Sequence, residues 1–324
     1  MKNLFVLLLL ILLVSSCDED EGDKTLYVYS LVLKNNYSPQ SKAILKGAED
    51  AAIKYSKSLG VEVFIDKKYP ETEDSAGLEK LMVELVNTAS LGLIKGISLS
   101  CINTAKLNNI INQGAVNGVR IMTFESDAPN SLRYAYFGPN HYETGKKLVQ
   151  IIADEINAKG RIAIITGKEN TNCYNDRLNG IVEELKKFPN IELIENGIRY
   201  TNETSASALS EINDIYINTT NLDGIIIAYS EVFSLNNAIP WEPGKIKIAT
   251  IDGFPNQLGY LEQGYFNSII GINYYNYGYN TIEALVKLTI ENEEPENDKN
   301  YFDYHLINLS NLEEWSNFWT NWLN

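Results

Sequence analysis

Two acids, Glu125 and Asp252, are placed to do chemistry together. Each ends a β-like run and is followed closely by proline, in Arg120-Ile121-Met122-Thr123-Phe124-Glu125-Ser126-Asp127-Ala128-Pro129 and in Lys247-Ile248-Ala249-Thr250-Ile251-Asp252-Gly253-Phe254-Pro255. The likeness extends upstream: Leu107-Asn108-Asn109-Ile110 begins 18 residues before Glu125, and Leu235-Asn236-Asn237-Ala238 begins 17 before Asp252. A doubled helix, strand, terminal acid and proline implies two similar domains, each delivering one carboxylate to the same edge of its sheet. Glu125 and Asp252 are then expected to face each other; the alternative is chance likeness between short pieces of α/β chain. Facing carboxylates could in principle serve as the two acids of a glycosidase.

Other chemistries lack their parts. His141 and His305 lie in unrelated contexts, which disfavours a Ser-His-Asp or Cys-His nucleophile system. His141, beside a helix cap, reads as structural or near a cleft rim. No Cys/His cluster has zinc spacing, and the acidic runs lack the alternating ligands of a calcium loop. Gly167-Lys168 fails as a phosphate loop, since Ile162 replaces the first glycine and Glu169 the Ser or Thr. No metal, cofactor or catalytic residue is expected.

The elements that must position the two acids alternate along the chain. Short β-branched and aromatic runs occur at 26–32, 61–65, 96–100 and 119–124, and a second series at 161–166, 191–194, 224–228 and 247–251. Between the first two runs Ile44, Leu45, Ala48, Ala51, Ala52 and Tyr55 recur at helical spacing. Leu78, Leu81, Met82, Leu85 and Val86 predict the next helix, and Asn103 a cap for the one after. Asn140 with Glu143 three residues on predicts a capping-box start to a helix reaching about Ala158. The pattern is that of two doubly wound parallel sheets with helices on both faces, whose ligands sit beyond the carboxyl ends of the strands.

The N-terminus carries Lys2, an uncharged apolar core from Leu4 to Val14, and Ser15-Ser16-Cys17. That core is short for a bilayer span and is bounded like an export signal. Residues 1–16 are expected to be a cleaved signal peptide and 17–24 an acidic, disordered tether. Removing the leader takes away Lys2, so the formal charge of −15 becomes −16. This disfavours nucleic acids and acidic lipid surfaces, which need clustered Lys and Arg. The remaining residues are enough for two cores of ordinary domain size. Cys101 and Cys173 fall in different halves and are expected to be free thiols rather than an interdomain bridge.

The segments around Glu125 and Asp252 carry a wider resemblance. Thr123-Phe124-Glu125-Ser126-Asp127-Ala128-Pro129, Tyr136-Phe137-Gly138-Pro139-Asn140-His141-Tyr142-Glu143-Thr144-Gly145, Asn175-Asp176-Arg177-Leu178-Asn179-Gly180, Thr250-Ile251-Asp252-Gly253 and Leu258-Gly259-Tyr260-Leu261-Glu262-Gln263-Gly264-Tyr265 resemble the type I periplasmic binding proteins, in their ribose-binding-like branch that serves sugar ABC transporters. The resemblance covers about Leu26 to Ile307, and Val14-Ser15-Ser16-Cys17 resembles a lipoprotein lipobox with Cys17 as the lipid attachment site. What it implies is a clamp of two α/β lobes joined by three crossovers and closing by hinge motion on a ligand. Lobe one is expected at 25–139 and 273–300, lobe two at 140–272 and 301–324. The implied protein is a monomeric, lipid-anchored binder on the periplasmic face of a bacterial membrane. It captures a sugar or similar polar solute for an ABC permease and is not an enzyme. A receptor of the same fold that signals to a membrane kinase or chemoreceptor stays open as the alternative.

By matched position Glu125, Arg177 and Asp252 are the principal ligand-binding candidates, with Asp127, Ser230, Glu231, Ser38, Gln40 and Asn273 beside them. Carboxylates only accept hydrogen bonds and a guanidinium only donates them, so together they suit a polyol. The departures matter too. Ser38-Pro39-Gln40-Ser41 occupies a stretch where sugar-binding relatives place stacking aromatics, Ser126 stands at an arginine position, Ser230 at an asparagine position, and Ile272 at a hinge glutamine position. Tyr37, Tyr174 and Tyr274 lie near enough to restore an aromatic surface. If Glu125, Asp127, Glu231 and Asp252 all face the cleft against Arg177 alone, the ligand is expected to be neutral or cationic. The alternatives are a turn residue for Asp127 and a helix N-terminal acid for Glu231.

Overall fold

The computed structural model describes residues 24–101, 105–169 and 171–323. The leader, Cys17 and Asn103 lie outside the described residues. The first βαβ unit forms where the periodicity changes from two to helical: β1 (Leu26–Val32) and β2 (Glu62–Lys68) pair in parallel across α1 (Pro39–Leu59). Local chemistry sets both ends of that helix. Ser38 accepts from the Ser41 N–H, Pro39 occupies the first turn, and Gly60 ends it at φ 67°. After it come α2 (Ser75–Ser90), β3 (Gly96–Ser100), α3 (Ala105–Val116), β4 (Arg120–Phe124) and β5 (Ala135–Gly138). These five strands and β11 (Lys299–Tyr301) form one sheet in the order β11-β5-β4-β3-β1-β2.

The second sheet repeats that order. It follows α4 (His141–Glu155) and comprises β6 (Gly160–Thr166), α5 (Asn172–Leu185), β7 (Ile191–Tyr200), α6 (Ser205–Asn218), β8 (Gly224–Ile227), β9 (Lys247–Asp252), α7 (Pro255–Glu262) and β10 (Ile269–Gly271). With the late strand β12 (His305–Ile307) it runs β12-β10-β9-β8-β6-β7, so β9 holds the place that β4 holds in the first sheet. Pairing is parallel except between β10 and β12. Ile162, Ile164 and Ile165 of β6 and Ile225, Ile226 and Ile227 of β8 are fully buried, as strands covered on both faces must be. The chain passes between sheets after β5, after β10 and after β11, the second time into α8 (Tyr274–Val286) and the third before the closing helix α9 (Leu312–Leu323).

Glycines let two helix pairs approach closely. A Cβ at Gly145 of α4 would lie 2.0 Å from the Arg177 carbonyl, and one at Gly180 of α5 2.0 Å from that of Tyr142. Gly47 of α1 and Gly278 of α8 form the corresponding pair in the other half. No side chain fits there, so backbone contact sets the crossing and fixes where Arg177 emerges.

The doubled segment is only partly symmetric. Leu107 lies in α3, but Leu235 follows a short 3₁₀ turn at Ser230–Ser234 and no helix leads into β9. Pro240, Pro243 and Gly244, at φ 76°, interrupt that stretch. Pro255 opens α7, whereas Pro129 lies in a turn. Strand and acid are repeated; the flanks are not. In α9, Trp315, Trp319 and Trp322 share one face by their spacing and are buried.

Candidate functional site

Both strand-end acids have left-handed backbone. Glu125 follows β4 at φ 58° and Asp252 ends β9 at φ 91°. This costs a non-glycine residue about 1–2 kcal/mol and persists only when its surroundings hold it. For Glu125 the holding groups are near in sequence: its carbonyl accepts from the Tyr136 hydroxyl at 2.9 Å and from His141 Nε2 at 2.6 Å. After Asp252 they are distant in sequence, since the Gly253 carbonyl accepts from the indoles of Trp315 and Trp319, each at 2.7 Å.

The side chains meet in a cleft of about 420 Å³ lined from both sheets. Glu125 is half-buried and accepts from Gln40 Nε2 at 2.5 Å and from the Ser100 hydroxyl at 3.2 Å. Burial, and then the charge of Asp252, push its carboxyl up to about 7. Asp252 accepts from the Ser230 hydroxyl and, at 2.8 Å, from that of Tyr274. Arg177 is buried; it donates to the Ala228 carbonyl at 2.5 Å and to His141 Nδ1 at 3.0 Å, while its buried Nε–H has no protein partner. A guanidinium can only donate and a carbonyl only accept, so His141 carries its proton on Nε2. Burial and the adjacent Arg177 lower its pKa to about 3, which keeps the ring neutral. His141 thus ties the Glu125 turn of one half to Arg177 of the other.

Of the residues the sequence singled out, Ser38, Gln40, Glu125, Arg177, Ser230, Glu231 and Asp252 line this cleft, and Asp127 and Asn273 do not. Asp127 makes a two-pronged bond with buried Arg133, at 2.5 and 2.7 Å, and accepts from Thr123 and the Ala128 N–H. Its acceptors are consumed, and it borders a neighbouring cavity of about 310 Å³. Asn273 caps α8, accepting from the Asn276 N–H at 3.1 Å. Ser38 both caps α1 and reaches the cleft. Glu231 is exposed there, in the 3₁₀ turn.

Tyr37, Tyr174 and Tyr274 all border the cleft, and Tyr229 and Phe254 add aromatic surface that the sequence reading missed. Phe254 stacks on Tyr274 at 5.3 Å, and Tyr174 meets Tyr229 edge-on at 5.7 Å. Both missed rings adjoin strand ends, where the rule that ligands sit beyond the carboxyl ends could have found them. Lys34 and Glu203 were missed too; they form an ion pair across the cleft at 3.9 Å, and Tyr174 donates to Glu203 at 3.0 Å. Cys101 and Cys173 are free, buried and at the cleft wall. Seven acids line it against three bases, Lys34, Lys168 and Arg177, which makes it net negative. Among the described residues no cluster of His, Cys, Asp or Glu is arranged to hold a metal ion.

Comparison with known proteins agrees with this architecture. A family model described as a periplasmic binding protein domain matches residues 30–293. The D-allose-binding periplasmic protein of Escherichia coli K12 is 24% identical over 269 residues, 80% of this chain and 83% of that one. Among solved structures, an ABC transporter solute-binding protein from Burkholderia graminis C4D1M in complex with D-arabinose superposes with a TM-score of 0.79 at 22% identity, covering 90% of this chain and 98% of its own. One from Actinobacillus succinogenes 130z with bound D-allose gives 0.74 at 20% identity, covering 89% and 99%. At these identities the structural likeness speaks for the fold, and the matched domain for the family. The chain belongs to the periplasmic binding proteins, with the two α/β lobes of their type I fold, and it is an exported binding protein, not an enzyme.

Proposed function

We propose that this protein captures a sugar or similar small polar solute in the cleft between its lobes and presents it to an ABC permease. In this reading it acts as a monomer anchored through a lipid on Cys17. Lobe one comprises 25–139 and 273–301 and lobe two 140–272 and 302–324, one residue past the boundary expected at 300, since Tyr301 pairs with Gly138 in the first sheet. The observation that carries the proposal is the convergence of Glu125 and Asp252, from equivalent strands of separate sheets, on one cleft with the buried Arg177. Acceptors from both sides, together with the Nε–H of Arg177, match hydroxyls that donate and accept; each buried hydroxyl left unmatched would cost about 1–3 kcal/mol. Phe254, partly exposed at the cleft and backed by Tyr274, offers aromatic surface to the apolar side of a sugar. The D-allose binder among its relatives and the D-arabinose and D-allose complexes among its structural neighbours support this ligand class.

The test is calorimetry and thermal shift of the mature protein against a broad panel of pentoses and hexoses. Saturable binding of at least one member with one-to-one stoichiometry is expected. A panel without any binding would end the carbohydrate reading.

A further inference from the structure

The cleft supplies Glu125 and Asp252 with neutral hydrogen-bond donors but with no contacting cation. Glu125 already has a neutral donor on each oxygen, Gln40 on one and Ser100 on the other, and Asp252 likewise has Ser230 and Tyr274. None of the cleft's three cations pairs directly with them, although the charge of Lys34 is felt at Glu125 and Glu231. Lys34 faces Glu203 in an ion pair, Lys168 acts on Asp74, and Arg177 spends hydrogen bonds on Ala228 and His141, although its charge reaches Asp252. None of the ion pairs found among the described residues includes Glu125, Glu231 or Asp252. The raised pKa of Glu125 reflects the same imbalance: the charge of Lys34 does not offset burial and Asp252.

A neutral hydroxyl would add donors to carboxylates that have them and leave the charge as it stands. An ammonium group supplies both, and it is attracted to aromatic rings, of which Tyr37 and Tyr229 border the cleft. We propose that the solute carries a protonated amino group seated against Glu125 on the side of Asp252, and so is an amino sugar or aminated polyol. This rests on the sugar-binding reading above and narrows it.

The experiment is calorimetry at pH 7 and low salt with D-glucose, D-galactose and D-allose, each beside its 2-, 3- and 6-amino-deoxy derivatives. At least one amine should bind tenfold or more tighter than its parent sugar. In Glu125→Gln that ratio should fall at least fivefold, whatever happens to either affinity alone. Should that variant not fold, the exposed Glu231→Gln should lower the ratio about twofold. Parent sugars binding as well as every amine, or a ratio unmoved by these variants, would overturn the amine while sparing the sugar reading. Failure of both members of every pair would remove both.

Discussion

The two acid turns differ in how each is held and in which charge it feels. Glu125 and Asp252 end corresponding strands with the same left-handed twist, yet the first is fixed by Tyr136 and His141, within 16 positions of it, and the second by tryptophans more than 60 positions on. The helix that carries those tryptophans also packs on α1, and its Trp322 stacks on Tyr275, so lobe two's acid turn is held by an element that leans on lobe one. Electrostatically the order reverses. Asp252 lies in the field of Arg177, whereas Glu125 meets only neutral donors and a remote lysine. Equal strand ends therefore give unequal acids, because what surrounds a strand end is built by loops that the repeat does not copy.

The sharpest way to break this comparison is to remove the group that serves both sides. Arg177→Ala deletes the charge facing Asp252 and the donor that holds His141 under Glu125. Solute affinity should fall more than 100-fold by calorimetry. The empty protein should also lose about 3 kcal/mol in a denaturant titration, because the Ala228 carbonyl and His141 Nδ1 are left buried without a donor. Full stability with lost binding would mean that these bonds contribute nothing to the fold.

Titration tests the Glu125 turn next. Glu125, raised to about 7 by burial and then by Asp252, holds its proton more tightly folded than unfolded; its contribution to stability is full below about 4.5 and is lost as pH rises through 7. His141, lowered to about 3 by burial and then by Arg177, works in the opposite sense, and its contribution is lost as pH falls below 6.5. The two slopes oppose each other between 4.5 and 6.5. Glu125→Gln removes one of them. The variant should gain about 2 kcal/mol over the parent between pH 5 and pH 8, the part of the Glu125 titration that falls in that range. A constant difference across that range would show that the Glu125 carboxyl is not perturbed.

Much of this was legible in the sequence, and the misses share a cause. Strands β1 to β4 and β6 to β9 are legible because β-branched residues bounded by turn formers leave few other choices, whereas the short β5, β10, β11 and β12 carry no such run, and Asn140 announces its cap through a bond only three residues long. The sequence leaves Asp127 open between a cleft acid and a turn residue because its partner Arg133 lies in a loop without periodicity, and it places Asn273 among the ligand candidates because a cap and a ligand contact look alike in sequence. Helix α9 shows three tryptophans at helical spacing, but nothing local says that two of them end on Gly253. Elements follow from short-range pattern; a turn's supports come from wherever the chain returns.

The tryptophan clamp is the next lever. In Trp315→Phe with Trp319→Phe the rings still pack but both donors to Gly253 are gone, at a cost of about 2 kcal/mol by denaturant titration. Because the clamp stands behind Asp252, solute affinity should weaken along with stability. If it did not, the positive φ at Asp252 would be held by something other than this carbonyl.

Tyr136→Phe is the smallest perturbation and the closest match on the other side. The Tyr136 hydroxyl reaches the Glu125 carbonyl at 2.9 Å and that of Pro139 at 3.0 Å, but His141 still donates to the first at 2.6 Å. With one of two donors remaining, the turn should keep its geometry, and the loss should be about 1 kcal/mol. Affinity should change less than in the double tryptophan variant, since there no donor survives. An equal or larger loss of affinity in Tyr136→Phe would reverse the contrast and make the Glu125 turn the more weakly supported of the two.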